Sequence, residues 1–74
     1  MRTGAGRVKS LRRHVGRTVI VNTAGRERAF RGVLAAVDAD AVTLDHAHLI
    51  EPRDVDLDGL VFLPADRVEW VQVV

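Results

Sequence analysis

Residues 30–48, FRGVLAAVDADAVTLDHAH, decide the fold. Two apolar-rich runs meet at an acidic turn, Asp38-Ala39-Asp40, and Gly32 lies inside the first run. Apolar runs on either side of turn residues predict a β-hairpin, and aspartate suits such turns because its side chain bonds its own backbone. A glycine within a strand weakens pairing and marks a bulge or a sharp bend. We therefore expect a long bent strand, a tight turn and a third strand.

The composition indicates a small β-rich domain. The chain has 74 residues, 47% of them apolar and 4% aromatic, with no cysteine. A single domain over residues 1–74 is expected, and the absence of cysteine excludes disulfides and thiolate metal sites. Frequent valine favours strands. No run approaches the roughly 18 apolar residues of a membrane span, and the N-terminus lacks a signal-peptide core. We expect a cytoplasmic protein with no membrane partner.

The N-terminal segment predicts a short amphipathic helix over residues 7–15, RVKSLRRHV. Its apolar residues Val8, Leu11 and Val15 follow helical spacing, and Gly16 is a natural C-terminal stop. Residues 1–6 are expected to be frayed. The rest of the chain, residues 17–74, is expected to form the barrel.

Five strands are predicted after Gly16. Their sequences are RTVIVNT, RAFRGVLAAV, AVTLDHAH, GLVFLP and RVEWVQVV, and a polar connection, LIEPRDVDLD, separates the third from the fourth. The predicted fold is mainly β: a short helix followed by a five-stranded, strongly bent SH3-like barrel.

Within this frame the sequence resembles the Sm-like family, including its bacterial Hfq-type members. The family's first motif has a glycine before strand one, an apolar-x-apolar strand, a glycine in strand two and a turn that opens with aspartate. The matching residues here are Gly16, Val19, Val21, Gly32 and Asp38; those of the second motif are Gly59, Val61, Leu63 and Val68. Ribosome-maturation, KOW and PRC barrels share parts of this pattern.

The resemblance implies a ring that binds RNA in a pocket built from two turns, whose positions here are Asp38, Asp40, Asp58 and Gly59. The family commonly has an asparagine soon after the first aspartate and a cation before the glycine. This chain has DADAV and Asp58 at those places. Because a carboxylate repels phosphate, we expect the usual uridine pocket to be absent or altered, and interpret the acidic turn as a barrel corner.

The charges are unevenly distributed. Residues 1–31 contain nine Lys and Arg against one acid, and residues 32–74 contain two against nine. A basic face on and beside the N-terminal helix is therefore the predicted nucleic-acid site, and binding there should be weak, salt-sensitive and non-specific. The residues of this site are Arg7, Lys9, Arg12, Arg13, Arg17, Arg28 and Arg31.

The last two strands predict self-association. They are short, apolar on both faces and without the inward charges that protect a free edge. In the family, strand four of one subunit pairs with strand five of the next, which implies a homo-oligomeric ring, a hexamer or heptamer. The expected interface residues are Leu60, Phe62, Val68, Trp70, Val71 and Val73.

Metal and catalytic sites find little support. DVDLDG has the spacing of a calcium loop, but Ala65 stands at position twelve, where a bidentate glutamate is needed. His46 and His48 would share one side of a strand, without a third ligand nearby. No hydroxyl lies in a catalytic motif, so we predict a non-enzyme without cofactor or metal. The alternative function is an assembly or protein-interaction module of a bacterial or phage accessory protein, without nucleic-acid binding.

Overall fold

The computed structural model describes residues 9–25 and 28–74, with all of their side chains except that of Lys9. Six strands follow a short 3-10 helix, Lys9–His14, and a second 3-10 helix, Ala65–Arg67, precedes the last strand. The strands are β1 Thr18–Thr23, β2 Arg28–Val37, β3 Ala41–Glu51, β4 Val55–Asp56, β5 Leu60–Pro64 and β6 Val68–Val73. No helix within the described ranges is long and apolar enough to cross a membrane. The frayed segment predicted for residues 1–6 lies outside them.

The strands form one antiparallel sheet in the order β4-β3-β2-β1-β6, and β5 also pairs with β3. The long β3 serves both sides of the bend, because its first half, from Ala41 to Asp45, pairs with β5, and its second half pairs with β4. The predicted mainly-β, strongly bent sheet is confirmed. Among the described strands, β5 pairs with β3 alone and β6 pairs with β1 alone.

Gly32 allows β2 and β3 to approach closely at the bend. A Cβ atom here would lie 2.9 Å from the carbonyl oxygen of Asp45 and 3.2 Å from Cα of Ala47. Both are backbone atoms, so neither can move aside without a shift of β3. Space therefore requires glycine at this point, and the predicted bend at Gly32 is confirmed.

The extra residue of the bulge belongs to β3. The β2 residues on either side of Gly32 pair with Asp45 and His48, so two residues of β3 lie opposite one of β2. The first of the two, His46, has a left-handed φ of +52°, the backbone conformation of a G1 bulge. Side-chain alternation along β3 is therefore broken at His46.

The core lies inside the bend and is built from alternate residues of the central strands. Val19 and Val21 of β1, Leu34 of β2, and Val42 and Leu44 of β3 are all 0% exposed. Period-two alternation in β1 aims one face of the strand inward, as the sequence predicts. The core contains aliphatic side chains from β1, β2, β3, β5 and β6.

The N-terminal segment is a 3-10 helix, not the predicted amphipathic α-helix. Three residues per turn place Leu11 and His14 on one face, and both are half-buried, while Val15 is 47% exposed. The N–H of Gly16 donates to the carbonyl of Leu34 at 2.8 Å, so the chain leaves the helix there to join the edge of β2. The prediction that Val15 continues the apolar stripe is wrong, and the predicted start at residue 7 lies outside the described residues.

The predicted count of five strands is also wrong. β3 continues to Glu51 instead of ending at His48, and β4 lies within the segment predicted to be a polar connection. Leu49 pairs with Val55, which extends the sheet by an additional two-residue strand. β3 ends before Pro52 because proline has no N–H to donate to a ladder.

Candidate functional site

The acidic turn is held together by its own carboxylate. Oδ1 of Asp38 accepts hydrogen bonds from the backbone N–H groups of Asp40, at 2.8 Å, and Ala41, at 2.9 Å. These two bonds, with a smaller contribution from the guanidinium of Arg12, hold the pKa of Asp38 below its usual value against the opposing effect of burial. The first aspartate of the turn thus serves to fix the corner between β2 and β3.

The turn beside this corner is the second 3-10 helix. The N–H of Ala65 donates to the carbonyl of Asp40 at 2.8 Å, and Pro64 pairs with Ala41. The cation carried by this neighbouring turn is Arg67, which the sequence reasoning missed. The available signal was the Pro64-Ala65 break between two apolar strands.

Asp58 and Gly59 lie at the other end of β5. Leu60, the first residue of that strand, pairs with Asp45, four positions along β3 from Ala41. At 3.3 Å per residue this separation is about 13 Å. The resemblance implied that Asp58 and Gly59 lie beside the acidic turn. The structure does not bring them there.

The basic residues beside the N-terminal helix differ in what they bond. Nε of Arg12 donates to the carbonyl of Val37 at 3.3 Å, where it covers the end of β2. Arg17 donates through Nη2 to the carbonyl of Val74 at 3.4 Å. The side chain of Arg13 is exposed and makes no hydrogen bond or ion pair within the described part of the chain. Of the three arginines Arg12, Arg13 and Arg17, Arg13 is therefore the one whose guanidinium is most available to bind a ligand.

The remaining predicted cations lie elsewhere. Arg28 lies opposite Thr23 at the far end of the β1–β2 hairpin from Arg17, and Arg31 lies between them on β2. Arg31 lines a groove of about 250 Å³ with His48, Ile50 and Asp54. The side chains of Arg7 and Lys9 lie outside the described residues. The members of the predicted set that the structure describes thus do not form one continuous face.

A second groove, of about 310 Å³, opens beside the end of β5. Its apolar lining comes from Phe30, Leu63 and Pro64, and two guanidinium groups, those of Arg28 and Arg67, border it. Neither guanidinium has a hydrogen-bond or ion-pair partner among residues 9–25 and 28–74. The groove is therefore suited to an acidic or partly apolar group.

The edge strands β5 and β6 expose large apolar side chains, and the short edge strand β4 exposes Val55 to a smaller degree. Leu60 and Phe62 of β5 are 53% and 65% exposed, and Trp70 of β6 is 53% exposed. Because β5 and β6 each have one strand partner within residues 9–25 and 28–74, this part of the chain leaves the backbone groups on their outer edges open to another strand.

A bulge at the start of β6 corrects one interface prediction. Trp70 pairs with Asn22 and Val68 pairs with Thr23, so Glu69 is the extra residue. Val68 is 6% exposed and belongs to the core, whereas Trp70 faces outward. Val68 and Trp70 therefore lie on different faces of β6, whereas regular alternation along a strand would place them on one face. Val71 and Val73 of the same strand are half-buried against the core.

The histidines contact different carboxylates. Nε2 of His46 lies 3.8 Å from Oδ2 of Asp45, while Nδ1 of His48 lies 3.9 Å from Oδ1 of Asp54 and 3.8 Å from Oδ1 of Asp56. The bulge at His46 interrupts the alternation on which a shared histidine face was predicted. Among the residues the structure describes, no group of three or more His, Asp or Glu is arranged to hold a metal.

Comparison with solved structures identifies the architecture. A Sm-like protein from Archaeoglobus fulgidus is 26% identical, with 100% of this chain and 97% of that chain covered and a TM-score of 0.72. A Sm protein from Pyrococcus abyssii, solved in complex with a uridine heptamer, is 24% identical over 89% and 94%, with a TM-score of 0.77. A heptameric archaeal Sm protein is 20% identical over 89% and 97%, with a TM-score of 0.75.

A further similar structure is a chain of the NatC complex bound to Gag peptide and CoA, 30% identical, with 86% of this chain and 90% of that chain covered and a TM-score of 0.72. No protein-family model and no curated protein sequence matches the chain. The archaeal structures share the bent antiparallel barrel over most of their length. The chain therefore has the Sm-like fold, a small and strongly bent β-barrel.

Proposed function

We propose that the chain assembles into a homo-oligomeric ring, a hexamer or heptamer, which binds RNA weakly and non-specifically through the basic side of its N-terminal helix. The observation that carries this proposal is the pair of open strand edges on β5 and β6, each with exposed apolar side chains. The ring acts by binding and not by catalysis.

The open edges of β5 and β6 belong to different strands of one chain. A contact between β5 of one copy and β6 of the next is therefore head-to-tail, and such contacts close into a ring when the rotation allows. The contact would cover Leu60, Phe62 and Trp70, which a monomer leaves in water. The heptameric archaeal Sm protein of the same fold supports this mode of assembly.

The RNA proposal rests on charge. Arg12, Arg13 and Arg17 lie on or beside the 3-10 helix, and the sequence has no acid before Glu27. A ring repeats this side six or seven times, and cations that neutralise phosphates gain affinity by releasing counterions. The Pyrococcus abyssii complex with a uridine heptamer supports an RNA ligand. Arg28 and Arg31 would contribute separate contacts, whereas the acidic turn would repel phosphate.

Arg13→Glu tests the RNA site, because the Arg13 side chain makes no bond within the described residues. The matched control is Arg53→Glu, which reverses an exposed arginine in the acid-rich half of the chain. RNA binding is measured by fluorescence anisotropy with labelled U-rich and A-rich RNA at two salt concentrations. At low salt the dissociation constant of Arg13→Glu should be about tenfold higher than that of the parent protein, or more, and that of the control should change little. Equal affinity of Arg13→Glu and the parent protein would overturn the proposed site.

A second function is favoured by the match to a chain of the NatC complex, which has higher identity than the archaeal Sm structures above. In this function the chain is an assembly or protein-interaction module that binds no nucleic acid. The same titration separates the two functions. A parent protein that assembles but does not bind RNA at low salt supports the second function and contradicts the first.

A further inference from the structure

We propose that β5 pairs with β6 of the next copy in the register that sets Phe62 opposite Trp70 of the partner subunit. This inference rests on the proposed ring and specifies its contact. It starts from the aromatic side chains, since Phe62 and Trp70 are the two that are more than half exposed, and each lies on a different open edge. Exposed aromatic side chains of this size are typical anchors of protein interfaces.

Strand length leaves two registers to consider. β5 has five residues and β6 has six, so two antiparallel registers pair every residue of β5. In the first, Phe62 lies opposite Trp70 of the partner subunit. In the second, slipped by one residue, Leu63 lies opposite it. Directly opposite residues share a face of the sheet, so this slip moves every side chain of the added strand to the other face.

The faces of the two strands select the first register. Val61 of β5 and Val71 of β6 are half-buried toward their own cores, and the first register places Val61 opposite Val71 of the partner subunit. The slipped register instead places Gln72 of the partner subunit opposite Val61. A polar amide would then lie against apolar side chains without a hydrogen-bonding partner, which costs free energy. The first register sets the inward-facing Val61 opposite the inward-facing Val71 of the partner subunit, and the outward-facing Phe62 opposite Trp70 of the partner subunit. Gln72 of the partner subunit then lies on the exposed face, opposite Leu60.

Charge supports the same antiparallel direction. The Pro64 end of β5 meets the beginning of β6 of the neighbouring copy, the region that carries Glu69. The groove bordered by Arg28 and Arg67 opens at this end of β5. Both registers bring Glu69 of the partner subunit to this end of β5, so the charges favour the antiparallel direction and do not choose between the two registers.

The chain contains no cysteine, so introduced disulfides report the register directly. Opposite residues of an antiparallel pair have Cα atoms about 4.5–5.5 Å apart, which suits a disulfide. Under mild oxidation, Phe62→Cys/Trp70→Cys should give covalent multimers on a non-reducing denaturing gel. The matched control, Phe62→Cys/Val71→Cys, can cross-link efficiently only in the slipped register and should remain monomeric on the gel.

Native mass spectrometry of the parent protein separates a failure of the register from a failure of the ring. If the parent is oligomeric and Phe62→Cys/Trp70→Cys, assembled in reductant, fails to cross-link on oxidation, the register is overturned and the ring stands. The register is also overturned if Phe62→Cys/Val71→Cys forms covalent multimers and Phe62→Cys/Trp70→Cys does not. A monomeric parent overturns the ring, and the register with it.

A double-mutant cycle tests the pair without cysteine, in case the cysteine variants do not assemble. Phe62→Ala and Trp70→Ala should each raise the dissociation constant about tenfold. If the aromatic side chains of Phe62 and Trp70 touch across the interface, the dissociation constant of the double variant should rise by less than the product of the two single increases. Phe62→Ala combined with Val74→Ala, whose residues are not opposite in this register, should behave additively. Additive effects of Phe62→Ala and Trp70→Ala would overturn the proposal.

Discussion

Replacement of Gly32 by alanine tests the close approach between β2 and β3. The new Cβ would lie 2.9 Å from the carbonyl oxygen of Asp45 and 3.3 Å from Cβ of Leu44, and strand pairing holds both in place. Overpacking of a buried site costs about 1–3 kcal/mol, and contact with backbone atoms favours the upper part of this range. Since about 1 kcal/mol shifts the unfolding midpoint of a domain this small by about 4–8 °C, we expect a decrease of about 10–20 °C.

Circular dichroism during heating measures this decrease. All variants should be compared at one protein concentration, because assembly makes the midpoint depend on concentration. The matched control is Ala35→Ser, which also adds one heavy atom to β2 but at an exposed position, and it should change the stability by no more than about 0.5 kcal/mol. A Gly32→Ala variant that unfolds at the same temperature as the parent protein would refute the close approach.

Two further predictions concern the corner between β2 and β3. The pKa of Asp38 is lowered in the folded protein, so its carboxylate stabilises the fold above about pH 4, and this stabilisation is lost as the pH falls through the folded pKa. Asp38→Asn should therefore be less stable than the parent at pH 7 in urea denaturation, with a difference that closes in acid; a difference independent of pH would contradict this role. Arg12→Met should lower the free energy of unfolding by about 0.5–1.5 kcal/mol because the carbonyl of Val37 loses its donor, while Arg13→Met should leave it unchanged. Equal urea midpoints for these two variants would show that the Arg12 bond does not hold the corner.

The strands with clear sequence boundaries could be predicted. β2 has the predicted bounds, residues 28–37, because turn residues delimit it on both sides and its apolar residues are frequent. Gly32 was recognisable as a bend because a glycine inside a strand has few other uses. The open edges of β5 and β6 also followed from local pattern, since both strands are short and apolar on both faces.

Features that depend on pairing between distant segments could not be predicted. The bulge at Glu69 separates Val68 from Trp70, yet the sequence around it reads as regular alternation. The chain leaves the 3-10 helix where Gly16 bonds the carbonyl of Leu34, eighteen residues further along the chain. Neither effect leaves a local signal in the sequence.

In the candidate site, too, local features could be predicted from the sequence, whereas features that depend on strand pairing could not. A single glycine in the sequence predicts that Asp58 and Gly59 form the turn next to Asp38. Strand pairing instead brings the 3-10 helix of Ala65 and Arg67 to this place. The basic residues were grouped by their proximity in sequence, but the register of the β1–β2 hairpin places Arg17 and Arg28 at opposite ends. Charge could be counted from the sequence, while its distribution over the surface required the fold.

The native mass of the protein in solution tests the central claim most directly. Native mass spectrometry should show a discrete species of six or seven copies of the 8.1 kDa chain, because the open edges of β5 and β6 close on one another around a ring. A single species at 8.1 kDa, at concentrations well above those used for the binding experiments, would contradict the claim.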